Sequence, residues 1–330
     1  MQRRPSAAGN NSARTKKRPV RIRTSHYRAS SRSLDRIIWK DTVVTSDEQP
    51  FIRDFRAPAS QDSNAHGDGR SAQIATFLRP WFGPPDARLL KSQLRAGVRV
   101  TVLIDGSPRV LDLVELTGDV IAAGSPVRRP GRHSDMPNKP GTFFSSTNRD
   151  LVQYESQLEE EFLYFADFDP LVVGIRAQPF SLWGLVDGKV RKHTPDFALL
   201  CRDGSVRIVN VKPESRIRDA DVRDLHNWVE HTIAPNGFVH EEYVGAPSMV
   251  VRNLRYIAGA RVEQWMSHYP RAQVFNAWRP GDAIGSLERR LSSDLPQAVI
   301  RASIRNLLWN SAFRTDLRRS LGTLSPLARS

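Results

Sequence analysis

Glu159, Asp196 and Lys212 lie far apart along the chain, but together they have the side chains that metal-assisted phosphodiester hydrolysis uses. Asp196 follows Pro195, Lys212 ends the run Asn210-Val211-Lys212, and Glu159 lies upstream in a stretch with helical spacing. Such hydrolysis needs a hard cation with oxygen ligands, a positioned water, and positive charge against the transition state. Two carboxylates and a backbone carbonyl, here that of Val211, can hold Mg2+, which usually keeps several waters. The ion polarises a phosphate oxygen and acidifies a bound water. A neighbouring lysine orients that water or neutralises developing charge. Plainer explanations stand beside this one. Pro-Asp is common in turns and Val-Lys at strand ends. Ser156-Gln157-Leu158-Glu159 fits a helix capping box. Glu155, Glu160 and Glu161 fit a solvated helix face, and a lone histidine such as His193 is more often structural than catalytic.

Other chemistries have no support in the sequence. It has no GxxxxGK[ST] phosphate loop, no HExxH, no GxSxG and no Cys/His pair at zinc spacing. Cys201 is the only cysteine, which excludes an internal disulfide framework and suits a reducing compartment.

Whether Asp196 and Lys212 meet depends on the turn between their strands, at Cys201-Arg202-Asp203-Gly204-Ser205. A two-residue turn at Asp203-Gly204 would pair Asp196 with Val211 and turn it away from Lys212. A loop of residues 203–205 would pair Asp196 with Lys212, and a loop of residues 202–204 would pair it with Asn210. Either of the latter puts Asp196, Asn210 and Lys212 on one face, so the site requires an odd-length loop or a bulge.

Hydrophobic patterning supplies the elements around this pair. Residues 98–104 and 110–116 flank Asp105-Gly106 as a predicted β-hairpin. Tyr154, Leu158, Phe162 and Phe165 mark a helix over 150–167. Strands are predicted at 172–176, 180–185, 192–200, 206–211 and 238–244. Val222, Leu225, Val229 and Ile233 mark a second amphipathic helix. This order predicts an α/β fold with a mixed sheet flanked by helices. Towards the C-terminus, residues 281–292 form one predicted helix. Another, capped by Asp294 with Pro296 in its first turn, runs to Trp309. The expected organisation is a largely disordered basic arm and linker over 1–85, an endonuclease domain over 86–260, and a small helical region over 261–330.

The net charge of +14 is unevenly spread. Residues 1–36 hold eleven Lys/Arg against the single acid Asp35, which gives +10 and leaves +4 for the other 294 residues. An arm of that composition is expected to be disordered and to lie on phosphates. Lys16, Lys17 and Arg18 in the arm, and Arg128, Arg129, Arg132 and Lys139 in the Pro/Arg/Gly-rich loop over 125–141, are the candidate DNA contacts. No apolar run has the length of a membrane span, so no membrane partner is expected.

Five short motifs in order carry a family resemblance: Tyr154-Glu155-Ser156-Gln157-Leu158-Glu159, Asp167-Phe168-Asp169-Pro170-Leu171-Val172-Val173, Gln178-Pro179-Phe180, His193-Thr194-Pro195-Asp196-Phe197 and Val209-Asn210-Val211-Lys212-Pro213. Together they resemble the TnsA-like endonuclease subunits of heteromeric transposases, within the PD-(D/E)xK nucleases. A looser match continues at Asn306-Leu307-Leu308-Trp309 and Asp316-Leu317. The resemblance implies a restriction-endonuclease-like fold with Glu159, Asp196 and Lys212 as catalytic residues and Mg2+ as cofactor, replaceable by Mn2+. It implies cleavage of the strand at transposon ends that a DDE transposase partner (TnsB-like) does not cut, in a DNA-associated protein of the bacterial cytoplasm. It also implies a helical or winged-helix-like C-terminal module that contacts an AAA+ ATPase (TnsC-like). The sequence departs from the motif at one position: Asn210 stands where the second acid belongs. An amide can offer a metal its carbonyl oxygen but no charge, which places a two-metal site in doubt. A different PD-(D/E)xK nuclease (restriction, repair or junction-cleaving) and a catalytically silent DNA-binding scaffold are the competing functions.

Overall fold

The computed structural model describes residues 91–128, 139–262 and 268–330. The expected basic arm, with Lys16, Lys17 and Arg18, and Arg129 and Arg132 of the central loop lie outside the described residues.

The elements follow one another as α1 (Lys91–Leu94), β1 (Arg99–Ile104), β2 (Ser107–Asp112), α2 (Gly118–Ala123), β3 (Gly141–Ser145), β4 (Asp150–Tyr154), α3 (Gln157–Phe168), β5 (Val172–Ala177), β6 (Ser181–Val186), β7 (Lys189–His193), β8 (Phe197–Cys201) and β9 (Val206–Val211). They continue with α4 (Glu214–Ile217), α5 (Ala220–Ile233), β10 (Val239–Tyr243), α6 (Ser248–Ala258), α7 (His268–Ala277), α8 (Ile284–Leu291), α9 (Gln297–Trp309), β11 (Phe313–Arg314) and β12 (Ala328–Arg329). The fold is mixed α/β, but its strands divide among two four-stranded sheets, ordered β2-β1-β6-β7 and β10-β9-β8-β5, and two two-stranded ones, β3-β4 and β11-β12. The second sheet is mixed: β9 and β10 are parallel, while β8 is antiparallel to both β9 and β5.

The division comes from two crossings that the hydrophobic pattern does not reveal. The single strand expected over 192–200 is broken at Thr194-Pro195-Asp196, so β7 stays in the first sheet and β8 enters the second. Pro195 has no N–H to give a ladder. The chain makes a similar passage at Gln178-Pro179-Phe180, between β5 and β6. The two crossings are tied together: Gln178 N–H donates to the Asp196 carbonyl at 2.9 Å, and the Ser181 and Thr194 hydroxyls are 2.6 Å apart.

Other expectations shift at their ends. Asp105 and Gly106 both have positive φ, as the tight two-residue hairpin turn requires, so β2 starts at Ser107 and stops at Asp112. The helix expected from 150 begins only after Ser156, because residues 150–154 pair with β3 as a hairpin. Asp294 does not cap α9; Pro296 occupies that position.

Strand β9 divides its side chains between two cores. Val206 and Ile208 join Val100, Leu182, Phe180 and Val229 in a cluster closed by α5. Val209 and Val211 join Phe162, Phe197 and Tyr243 in a larger cluster that continues to Ile304, Trp309 and Phe313. The C-terminal helices therefore pack directly against the α3 side of the molecule. Asp167, fully enclosed, fastens this junction by accepting from the hydroxyls of Ser145 (2.7 Å) and Ser146 (2.9 Å) and the N–H of Thr147 (2.8 Å). Trp309 Nε1 reaches Ser146 Oγ at 3.1 Å. No helix among the described residues is long and apolar enough to cross a membrane.

Candidate active site

The β8–β9 turn settles the register. Cys201 N–H donates to Ser205 O, leaving residues 202–204 as the loop, with Gly204 at φ +81° in its last position. Phe197 then pairs with Val209 and Ala198 with Ile208, which puts Asp196 opposite Asn210. This is one of the two odd-length loops that the site requires.

Asp196 is buried and held on three sides. Its N–H donates to Val209 O at 3.1 Å, its carbonyl accepts from Gln178, and its Oδ2 accepts the Val211 N–H at 2.7 Å. Lys212, just past the end of β9, brings Nζ to 3.6 Å from the same oxygen. Asp196 is 8% exposed and Lys212 38%, so the pair stands at the rim of the sheet with the ammonium on the outer side.

Glu159 reaches the same region from the first turn of α3. The capping box expected from the sequence is formed only in its forward half: Ser156 Oγ accepts the Glu159 N–H at 3.2 Å, while Glu159 Oε1 takes the Ser156 hydroxyl at 3.0 Å instead of the Ser156 N–H. Glu159 Oε2 accepts the Glu155 N–H at 2.8 Å. Both donors are neutral. Burial, and then the nearby Asp196 carboxylate, push Glu159 up to about 7. The cap orients this carboxylate, the Asp196 charge is close enough to raise it, and Glu159's own hydrogen bonds bring no formal positive charge. A pair in that state gains from a hard cation with oxygen preference, and its donors suit one. Among the described residues, no group of three or more His, Cys, Asp or Glu side chains is arranged to hold a metal. The remaining expected ligand, the carbonyl of Val211, belongs to the residue whose N–H binds Asp196.

Asn210 departs from the expected arrangement. It is fully buried, and its amide lies between two imidazoles: Oδ1 is 2.9 Å from His193 Nε2 and Nδ2 is 2.9 Å from His240 Nε2. Burial pushes both histidines down to about 4, so they are neutral at physiological pH. His226 of α5 completes the cluster through a short hydrogen bond from Nδ1 to Glu242, which pairs opposite Asn210 on β10. Of these residues only His193 and Asn210 stand out in the sequence. His226 could have been found, since it falls at helical spacing on the stripe of Val222, Val229 and Ile233, the last two buried. His240 and Glu242 reach the site only through the parallel β9–β10 pairing, which leaves no local signal.

Of the expected DNA contacts within the described residues, Arg128 is exposed and pairs with Glu155 at 2.6 Å, one step from the backbone donor that holds Glu159. Lys139 is exposed at the other end of the loop. No family model matches the chain, and no relative is found among curated proteins.

Proposed function

We propose that the chain is a Mg2+-dependent DNA endonuclease with a restriction-endonuclease-like core, acting as the TnsA-like subunit of a heteromeric transposase. The observation that carries the nuclease proposal is that the Glu159 carboxyl is raised by its burial and then by the charge of the buried Asp196 carboxylate, which itself lies 3.6 Å from Lys212 Nζ. Glu159, Asp196 and the Val211 carbonyl would hold the cation. When bound, it supplies charge neutralisation at the phosphate and a water acidic enough to attack. Lys212, the most exposed of the three side chains, is placed to meet a non-bridging phosphate oxygen or the attacking water. Arg128 can leave Glu155 for a phosphate of the same duplex, since an exposed ion pair contributes little.

The partners follow from the motif resemblance: double-stranded DNA at transposon ends, a DDE transposase that cuts the other strand, and an AAA+ ATPase met by the helical or winged-helix-like C-terminal part. A nuclease of the same class with other partners shares the site. A DDE integrase and an AAA+ ATPase encoded beside this chain would separate the two.

One observation favours a catalytically silent DNA-binding scaffold: both oxygens of Glu159 are already engaged in the helix cap. The deciding experiment is a plasmid-nicking assay in Mg2+ and Mn2+, with partner proteins present, on the wild type, Asp196→Ala and Lys212→Ala. The nuclease proposal expects nicking by the wild type alone, with DNA binding intact in all three. Cleavage retained by Asp196→Ala, or no cleavage by any of them, rejects it.

A further inference from the structure

The amide of Asn210 has a different task from the motif acid whose place it takes. A carboxamide accepts at one end and donates at the other. The two rings facing it at 2.9 Å must therefore play opposite roles. His193 donates from a protonated Nε2, and His240 accepts on a bare Nε2 with its proton on Nδ1. Turning the amide over exchanges the two roles but keeps them opposite. The bridge joins three stretches of backbone: the end of β7, the end of β9 and the start of β10. The first leads through Thr194-Pro195 to Asp196, and the second leads through Val211 to Lys212.

We propose that Asn210 is a positioning residue and not a metal ligand: its amide, clamped between His193 and His240, fixes the crossing that carries Asp196 against the strand end that carries Lys212. The role assigned to Asp196 and Lys212 rests on the nuclease proposal; the bridge itself does not. The requirement for both a donor and an acceptor explains why an amide occupies the position. An aspartate could only accept: it would take a bond from His193 but would require His240 to move its proton to Nε2. It would also place a charge at a fully buried site directly opposite Glu242.

The test uses the full-length chain. Long-range 1H–15N spectra of the wild-type histidine rings are expected to show opposite neutral tautomers for His193 and His240. Mn2+ binding, followed by electron paramagnetic resonance, is expected to be no tighter in Asn210→Asp than in the wild type. In nicking, Asn210→Asp is expected to lose about tenfold or more in kcat with KM little changed, as misplacement of catalytic groups does. The same tautomer in both rings, or Mn2+ bound tenfold more tightly by Asn210→Asp, overturns the proposal. The tautomer measurement needs no variant, so it decides even if Asn210→Asp does not fold. Opposite tautomers in a wild type that neither binds Mn2+ nor nicks would uphold the bridge and reject the nuclease proposal alone.

Discussion

Lys212 Nζ lies 3.6 Å from Asp196 Oδ2, and that same oxygen accepts the Val211 N–H at 2.7 Å. One carboxylate oxygen thus closes the end of β9 and anchors the lysine, so the two substitutions at Asp196 should behave differently. Asp196→Ala strands a buried backbone donor and is expected to lose about 1–3 kcal/mol of stability along with activity. Asp196→Asn keeps an acceptor and is expected to lose activity with a smaller stability change. Urea unfolding of both variants beside nicking rates checks this; equal destabilisation would show that the Val211 contact contributes nothing.

Glu159 makes stability depend on pH with a definite sign. Its folded value, about 7, is above the ordinary 4.5, so the unfolded chain gives up this proton first. Stability is unaffected below about pH 4.5, falls as pH rises to 7, and stays lower above it. The difference corresponds to on the order of 3 kcal/mol. Without divalent ions, Glu159→Gln is expected to remove that fall. Mg2+ is expected to restore stability to the wild type above pH 7 and not to the variant. Melting curves from pH 4.5 to 8.5 for both proteins measure it.

The neutral histidines act in the opposite direction. His193 and His240 are held near 4 against an ordinary 6.5, so the unfolded chain takes up protons before the folded one. Their contribution is complete above pH 6.5 and is lost as pH falls from 6.5 through 4. Replacing both with glutamine, which cannot charge, is expected to flatten the acid limb of the unfolding midpoint over that window. An unchanged acid limb would place the lability elsewhere.

Ser156 tests whether the cap serves the site as well as the helix. Ser156→Ala removes an acceptor for the Glu159 N–H and a donor to its Oε1, and is expected to cost about 1 kcal/mol. The Ser156 hydrogen bond also holds Glu159 down, so its loss is expected to raise the Glu159 midpoint further. A carboxyl-specific 13C titration reads the shift directly.

Much of this arrangement is legible in the residues. The strand over 206–211, the helix stripe at Val222 and Val229, the N-cap at Ser156 and the odd-length loop before β9 all depend on local spacing or turn chemistry, and the structure has each of them. The break at Thr194-Pro195-Asp196 is not visible in the hydrophobic pattern, because flanking residues suit a strand and only sheet-to-sheet pairing shows that the chain crosses there. The strand character of 150–154 is hidden because Tyr154 also continues the helical stripe of Leu158 and Phe162, and pairing with β3 decides the outcome. The histidine bridge depends on a parallel pairing between segments distant in sequence, so Asn210 alone suggests a weakened ligand and not a clamp.

The central claim, that Glu159 and Asp196 share one divalent cation, is most directly tested by anomalous diffraction from crystals soaked in Mn2+. A single peak within ligand distance of both carboxylates, lost in Asp196→Asn, is the predicted result. Fully occupied Mn2+ elsewhere on the molecule, with Glu159 still closed into its cap and no peak between the two carboxylates, would contradict the claim.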